Sequence, residues 1–215
     1  MEFRGTLFIL ALLAGGAGAQ QNSGFLSEYS KLAPASDNPD LQIWISKDFD
    51  FKPYHKIMID EVEIFVSPTS EYHGASPDVF EGMADRFKAS LKKALRPGYQ
   101  FVTKPGPGVL HFRLAITGVN LVRPKFNPLH VLPVVFVART VSGASQAQNV
   151  ALTGEMEVLD PGGTVVAAAV SIGTGDTTVR SGQQVTWKDV QALTDRWATN
   201  LRRRLDEARG VSLHS

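Results

Sequence analysis

Four polar side chains in two predicted strands have the types and the spacing for acid–base chemistry. His111 and Arg113 alternate with apolar residues in one strand, and Glu155 and Glu157 do so in another. An imidazole beside a carboxylate is a common acid–base pair, and both groups also bind metals. Opposite charges on neighbouring strands more often form a solvated ladder of ion pairs. An enzyme with a shallow site at His111 and Glu155 or Glu157 is therefore kept as an alternative.

The motifs of the common enzyme classes are missing from the sequence. It has no Gly-x-Ser-x-Gly elbow, no His-Glu-x-x-His and no cysteine, which leaves a serine hydrolase of the common fold, a zincin and a thiol enzyme unsupported. Gly106-x-Gly108 is not followed by a helix, and Gly173-x-Gly175 lacks the lysine and the helix start of a phosphate-binding loop. We interpret both as turns. The prediction is a non-catalytic protein without a metal or a cofactor.

The middle of the chain is strongly basic, although the whole chain is nearly neutral. Residues 86–154 contain ten Lys and Arg and no Asp or Glu, whereas residues 20–85 contain twelve acids and four bases. Several of the bases fall at the end of a predicted helix, where the helix dipole favours positive charge. Others fall in residues 121–149, a segment that we call the tongue.

The tongue is longer than a connection between two strands of a compact domain needs, and such insertions are usually functional or flexible. It combines bases with an apolar run spaced by prolines. We predict that it is the binding surface, in contact with an anionic envelope component, an anionic membrane surface or a protein partner. The alternative is that it folds back onto the core. The predicted contact residues are Arg123, Lys125, Phe126, Leu132, Val135, Phe136 and Arg139.

Residues 1–19 have the pattern of an export signal. Arg4 precedes an apolar run over residues 7–14, and Ala17-x-Ala19 fits a cleavage site before Gln20. We expect a periplasmic or released protein that has no lipid-modified cysteine and does not bind nucleic acid. No later run reaches the ~18 apolar residues of a membrane span.

Alternating and helical patterns predict the elements that position these residues. One amphipathic helix begins after Ser76 and ends before Pro97, and a second begins at a capping box of Thr186 and Asp189. The apolar residues of the first long strand change phase near Asp60, which predicts a bulge there. The predicted strands are 41–45, at an edge, and 57–66, 99–103, 109–119, 150–159 and 164–172.

The element order β-α-β-β-β-β-α predicts an α+β fold. We expect a two-layer sandwich, with a mixed, mainly antiparallel sheet and two helices on one face, and with the first strand, helix and second strand as a parallel βαβ unit. The opposite face should be wet. Residues 20–53 are predicted as an extended N-terminal anchor, and residues 54–210 as a single domain carrying the tongue. A cavity between the sheet and the helices would instead favour a carrier of an apolar molecule.

Four separated blocks of the sequence occur in the order found in a known family. They are Gly24-Phe25-Leu26-Ser27-Glu28-Tyr29-Ser30-x-Leu32 at the mature start, Tyr54-x-Lys56-Ile57-x-Ile59-Asp60-x-Val62-Glu63 in the first long strand, Pro105-Gly106-Pro107-Gly108 leading into Ala115-Ile116-Thr117, and Glu155-x-Glu157-x-x-Asp160 before the last hairpin. Together they resemble the bacterial Domain of Unknown Function 3313 family. The resemblance implies a Gram-negative cell-envelope protein, often a lipoprotein, with no assigned activity and no catalytic residues. The chain departs from the family pattern by lacking the lipobox cysteine and by having Glu61 where proline is expected.

Overall fold

A computed structural model describes residues 22–65, 77–122, 148–180 and 183–211. Its described part contains one sheet of eight strands and two α-helices. The helices are α1 (Pro77–Leu95) and α2 (Gln191–Ala208), and a 3₁₀ turn over Trp187–Asp189 precedes α2. The strands are β1 (Ala33–Ala35), β2 (Asn38–Ile45), β3 (Lys56–Ile59), β4 (Glu63–Ile64), β5 (Gln100–Phe101), β6 (Val109–Val122), β7 (Gln148–Leu159) and β8 (Val165–Val179).

The sheet is mixed and mainly antiparallel, as predicted. Its strand order is β1-β2-β8-β7-β6-β3-β5, with β4 paired to β6. The pairs β3–β5, β3–β6 and β4–β6 are parallel, and the other four are antiparallel. The parallel pair β3–β5 forms because α1 carries the chain back along the sheet between them. The α+β class and the βαβ unit are therefore confirmed.

The bulge predicted near Asp60 separates β3 from β4. Ile59 of β3 pairs with Phe112, and Glu63 of β4 pairs with Ala115. Between these two pairs the chain from β3 to β4 advances by four residues, whereas β6 advances by three. One extra residue in a strand reverses the face to which the following side chains point. Apolar residues from both sides of the bulge consequently reach the same core.

Strand β2 lies inside the sheet, although the sequence predicts an edge strand at residues 41–45. Asn38–Ile45 pairs with β8 on one side and with the three-residue β1 on the other. The turn between β1 and β2 includes Ser36 and Asp37. The prediction was wrong because Ala33–Ala35, in a proline-containing polar stretch, has little alternation from which a strand can be recognised.

Strand β8 continues through Gly173 and Gly175 to Val179, so the turn predicted at these glycines is wrong. A Cβ atom on Gly173 would lie 2.4 Å from Cδ1 of Leu193 in α2. One on Gly175 would lie 2.0 Å from the backbone oxygen of Asp189. The glycines therefore allow the helical layer to approach the strand closely.

Both helices pack on one face of the sheet, as predicted. Leu91 of α1 and Leu205 of α2 belong to the same buried cluster as Leu110 and Phe112 of β6. The start of the second helical segment carries the predicted cap, in which the backbone N–H of Thr186 donates to Oδ2 of Asp189 at 2.7 Å. The described helices and strands thus form one apolar core on this side.

The opposite face of the sheet is covered, so the prediction of a wet face is wrong. Residues 22–32, which we call the strap, lie across it. Phe25 and Leu26 are each 4% exposed and cluster with Ala115, Ala168 and Val170 of the sheet. The alternation of polar and apolar residues in β7 is the same whether the polar side chains meet water or meet buried partners, and here they meet partners.

Candidate ligand-binding site

The side chains of the predicted polar row do not assemble into one acid–base site. Glu157 is 1% exposed and accepts hydrogen bonds from Nη1 of Arg113 at 2.7 Å and from the backbone N–H and Oγ of Ser27 at 2.5 and 2.6 Å. Nε2 of His111 lies 2.8 Å from Oδ2 of Asp60 instead. That contact is close enough for an ion pair, but its angles do not meet those of a hydrogen bond.

The second carboxylate of the row also holds the strap. The hydroxyl of Tyr29 donates to Oε2 of Glu155 at 2.6 Å, and Glu155 is buried. Burial, and next this hydrogen bond, raise the pKa of the Tyr29 hydroxyl. The guanidinium of Arg113 lies 5.0 Å from the ring centroid of Phe25. The row that the sequence suggested as a shallow site is therefore the buried anchor of the strap.

Several sequence predictions fall outside the described residues. The export signal at residues 1–19 is one of them. The predicted tongue contacts also lie outside: Arg123, Lys125, Phe126, Leu132, Val135, Phe136 and Arg139.

In the parts of the chain that the structure describes, no three His, Asp or Glu side chains converge to hold a metal ion, and no helix has both the length and the apolar character to cross a membrane.

An apolar cleft lies on the helix face of the sheet, between α2 and the strands β2, β7 and β8. Its volume is about 120 Å³, and it is partly open to solvent. Interiors of proteins have few voids larger than a water molecule, so a cavity of this size is a distinct feature of the fold. Its apolar lining consists mainly of Leu41, Ile43, Phe51, Leu91, Met156, Val158, Ala167, Ala169, Trp197, Leu201, Leu205 and Ala208.

Small residues in the strands create this space. Gly154 of β7 lies directly under Trp197, since a Cβ atom there would be 2.9 Å from Cζ3 of the indole. Next to it, Ala167 and Ala169 of β8 contribute only methyl groups to the lining. The helix is therefore seated closely on β7, while the neighbouring volume under Leu201 stays unfilled. Sequence reasoning missed the cleft, because a run of alanines in β8 and a glycine in β7 do not by themselves reveal an unfilled volume.

Polar residues also line the cleft: Asn38 at the start of β2, Glu155 of β7, Ser171 of β8, and Asn200 and Arg204 on α2. The carboxylate of Glu155 is bonded to Tyr29 of the strap. Ile45, at the other end of β2, is 38% exposed and also lines it. The site thus combines an apolar interior with amide and guanidinium groups at its rim, a composition typical of pockets for small molecules with one polar end.

An ion pair links α2 to the β1–β2 turn beside this rim. Asp37 accepts from Nη2 of Arg204 at 2.5 Å and from Nη2 of Arg203 at 2.8 Å. The hydrogen bond from Arg204, and then that from Arg203, hold the pKa of the Asp37 carboxyl below its ordinary value. Arg203 has a second carboxylate partner in Glu207, at 2.6 Å.

The chain is similar to several proteins without an assigned function. The model of a family described as a protein of unknown function (DUF3313) matches residues 21–201. The uncharacterized lipoprotein YdcL of Escherichia coli K12 is 30% identical over 128 residues, which are 58% of this chain and 55% of YdcL. The protein of the same name from Escherichia coli O157:H7 matches to the same extent. The chain spans about half the length of these curated relatives.

Solved structures give only distant likenesses. A DUF4136 family protein from Bacteroides thetaiotaomicron is 11% identical with a TM-score of 0.39, covering 84% of this chain and 98% of that one. A PelC dodecamer from Paraburkholderia phytofirmans is 12% identical with a TM-score of 0.37, covering 78% and 96%. At these scores neither likeness carries an inference about the function of this chain.

Proposed function

The chain belongs to the DUF3313 family of proteins of unknown function, and we propose that it is a non-catalytic cell-envelope protein that binds one apolar chain in the cleft beside α2. The observation that carries this proposal is the cleft itself, with its apolar lining, its volume of about 120 Å³ and its opening to solvent. The predicted export signal and the name of the relative YdcL, a lipoprotein, support an envelope location.

The size of the cleft limits its ligand. An apolar cavity of about 150 Å³ stays dry and takes up a molecule as small as benzene, whereas pockets for drug-sized molecules measure about 300–1,000 Å³. A single alkyl chain fits the first range when its end is enclosed and the rest of the chain extends out of the cleft. Transfer of apolar surface out of water, at roughly 25 cal/mol per Å², supplies the driving force.

The cleft is also held open before any ligand arrives. Beside it, α2 is fixed by the hydroxyl of Tyr99, which donates to Oδ1 of Asp206 at 3.0 Å, and by Nη1 of Arg202, which donates to the backbone oxygen of Ala94 in α1 at 3.4 Å. Trp197 is seated on Gly154 at the opposite end. A ligand therefore does not have to order the helix, and preorganisation of this kind favours binding.

Binding of decanol, a neutral single-chain ligand, tests the proposal by titration calorimetry. We expect Ala169→Leu to lower the affinity at least about tenfold, because the isobutyl side chain of leucine occupies the space that the ligand chain needs. Ala192→Leu makes the same change at an exposed position of α2, is the control and should bind like the wild type. Absence of binding to the wild type, or equal binding by both variants, would overturn the proposal.

A second candidate function is docking of the tongue onto an anionic envelope component or a protein partner. The observation that favours it is the run of ten bases without an acid over residues 86–154. The pairing of β6 with β7 extends to Val122 and Asn149, so the tongue begins at the end of a long two-stranded pairing.

Charge reversal at Lys125 and Arg139 tests this second candidate. Salt-titrated binding to anionic lipid vesicles and to isolated cell wall should weaken strongly in Lys125→Glu with Arg139→Glu, because electrostatic attachment depends on these charges. A double variant with the exposed Lys47 and Arg180 changed to Glu carries the same change of net charge elsewhere. If the two double variants bind alike, the tongue is not the contact.

A further inference from the structure

We propose that the ligand of the cleft is an anionic single-chain amphiphile, such as a fatty acid, whose carboxylate binds Arg204 in place of Asp37. This inference rests on the proposed function, since it assigns the head group of a molecule whose alkyl chain occupies the cleft. It is carried by three features of the rim: the position of Arg204, the state of its guanidinium and the nature of its present partner.

Arg204 is built into the cleft wall. It contributes to the lining, its side chain is only 19% exposed, and it lies one turn of α2 from Leu201 and Ala208. A carboxylate at the end of a chain that occupies the cleft would therefore meet this guanidinium as it leaves the apolar interior. Burial makes such an encounter favourable, because a charge-assisted hydrogen bond is stronger where water is excluded.

The guanidinium of Arg204 has an unsatisfied hydrogen-bond donor. Nη2 contacts Asp37, but Nε is buried and has no hydrogen-bond partner among the described residues. An arginine side chain presents its donors as a planar fork that matches the two oxygens of a carboxylate. A ligand carboxylate that used Nε together with a terminal nitrogen would satisfy a buried donor that Asp37 leaves unsatisfied.

Asp37 is a replaceable partner. Its side chain is 45% exposed, it lies in the turn between β1 and β2, and one carboxylate serves two arginines. Exposed ion pairs contribute little to stability, so its release to water is easily offset. Arg203 keeps Glu207 at 2.6 Å after such a release, and only Arg204 then needs a new anion. Asp37 stays in the β1–β2 turn after such a release, so the ligand adds one negative charge beside Arg203 and Arg204.

Other ligand classes fit these features less well. A neutral head group does not compete with Asp37 for a guanidinium, and a cationic one is repelled by Arg203 and Arg204. A lipid with two acyl chains requires more volume than the cleft of about 120 Å³ offers. A narrow apolar cleft next to an arginine with an unsatisfied hydrogen-bond donor favours a ligand with one alkyl chain and one negative charge.

A series of ten-carbon ligands that differ only in the head group tests the inference. Titration calorimetry compares decanoate, decanol and decyltrimethylammonium below their micelle concentrations, at a pH of about 8 where the carboxylate is ionised. We expect decanoate to bind about tenfold more tightly than decanol, and the cation to bind most weakly. Arg204→Gln should lower the affinity for decanoate to that for decanol, whereas Arg196→Gln, which changes an exposed ion pair with Asp176 on the same helix, should change neither.

Asp37→Asn gives an independent readout with the opposite sign. Because Asp37 is exposed and competes for Arg204, its neutralisation should raise the affinity for decanoate several-fold without changing the affinity for decanol. Melting curves of each variant establish that it is folded. Equal affinities for decanoate and decanol, with no effect of Arg204→Gln, would overturn the head-group assignment while leaving the proposed function standing. If no ligand of the series binds the wild type, both fail.

Discussion

The two faces of the sheet are closed by different kinds of contact. On one face the strap is held by directional hydrogen bonds to the buried carboxylates of Glu155 and Glu157. On the other face the helices are held mainly by apolar side chains, with an open cleft beside α2. Directional bonds require one position of the strap, whereas apolar packing still holds when part of the volume is unfilled. The cleft is accordingly found on the helix face.

The largest expected effect comes from removing the cation of the strap face. Arg113→Met leaves Glu157 buried without its charged partner, and such a change costs about 3–5 kcal/mol of stability. The free energy of unfolding in urea measures it. Arg196→Met breaks the exposed pair with Asp176 on the helix side and should cost less than about 1 kcal/mol. Similar losses in the two variants would mean that the strap face does not depend on its ion pair.

Tyr29→Phe should cause a smaller loss of stability on the strap face. It removes the hydroxyl that donates to Glu155 at 2.6 Å but keeps the ring in place. We expect a loss of about 1.5–3 kcal/mol in urea unfolding, the usual range for a hydrogen bond to a charged group. Tyr54→Phe, whose ring packs beside Phe49 in the helix-side core, is a control with the same chemical change. An equal loss in Tyr54→Phe would remove the distinction between the faces.

Two adjacent alanines compare the faces directly. Both contribute to the lining of the cleft, but Ala168 belongs to the buried cluster under the strap, whereas Ala169 clusters with Leu41. Ala168→Val should cost about 1–3 kcal/mol because the added methyl groups overpack a filled site. Ala169→Val should change the unfolding free energy by less than that, because its methyl groups enter free space. A larger loss at Ala169 than at Ala168 would contradict the assignment of the void to the helix face.

The smallest expected effect is a change in the stability contributed by Tyr29 at alkaline pH. The pKa of Tyr29 is raised above its ordinary value of 10.0 by burial and by the bond to Glu155. A raised pKa means that the folded state holds its proton more tightly, so this contribution is fully present below pH 10.0 and is lost as the pH rises through the folded pKa. The difference in stability between the wild type and Tyr29→Phe should shrink over that range. Subtracting the variant removes the contribution of Tyr99, whose pKa is also raised.

Local patterns in the sequence predicted the elements that depend on neighbouring residues. The helix stop before Pro97, the cap of Thr186 and Asp189 and the phase change near Asp60 each involve a few adjacent positions, and each is found in the structure. The parallel βαβ unit follows from the order of strand, helix and strand. These features need no knowledge of distant contacts.

Features that depend on distant contacts were predicted less well. The burial of Glu157 depends on Ser27 and Arg113, and nothing in the alternation of β7 distinguishes a buried carboxylate from a solvated one. The strand character of Gly173 depends on Leu193 in a later helix. The cleft could not be predicted from a pattern, because an unfilled volume results from the combined sizes of side chains on α2 and three strands.

The separation of the strap from its anchors along the chain has a consequence for the order of assembly. Ser27 and Glu157 are 130 residues apart, so a chain that emerges from its N-terminus presents the strap long before β7 exists. Closing so long a loop is also slower than forming the neighbouring hairpin of β7 and β8. The strap is therefore among the last pieces to dock, and a chain cut short before β7 has no carboxylates to receive it.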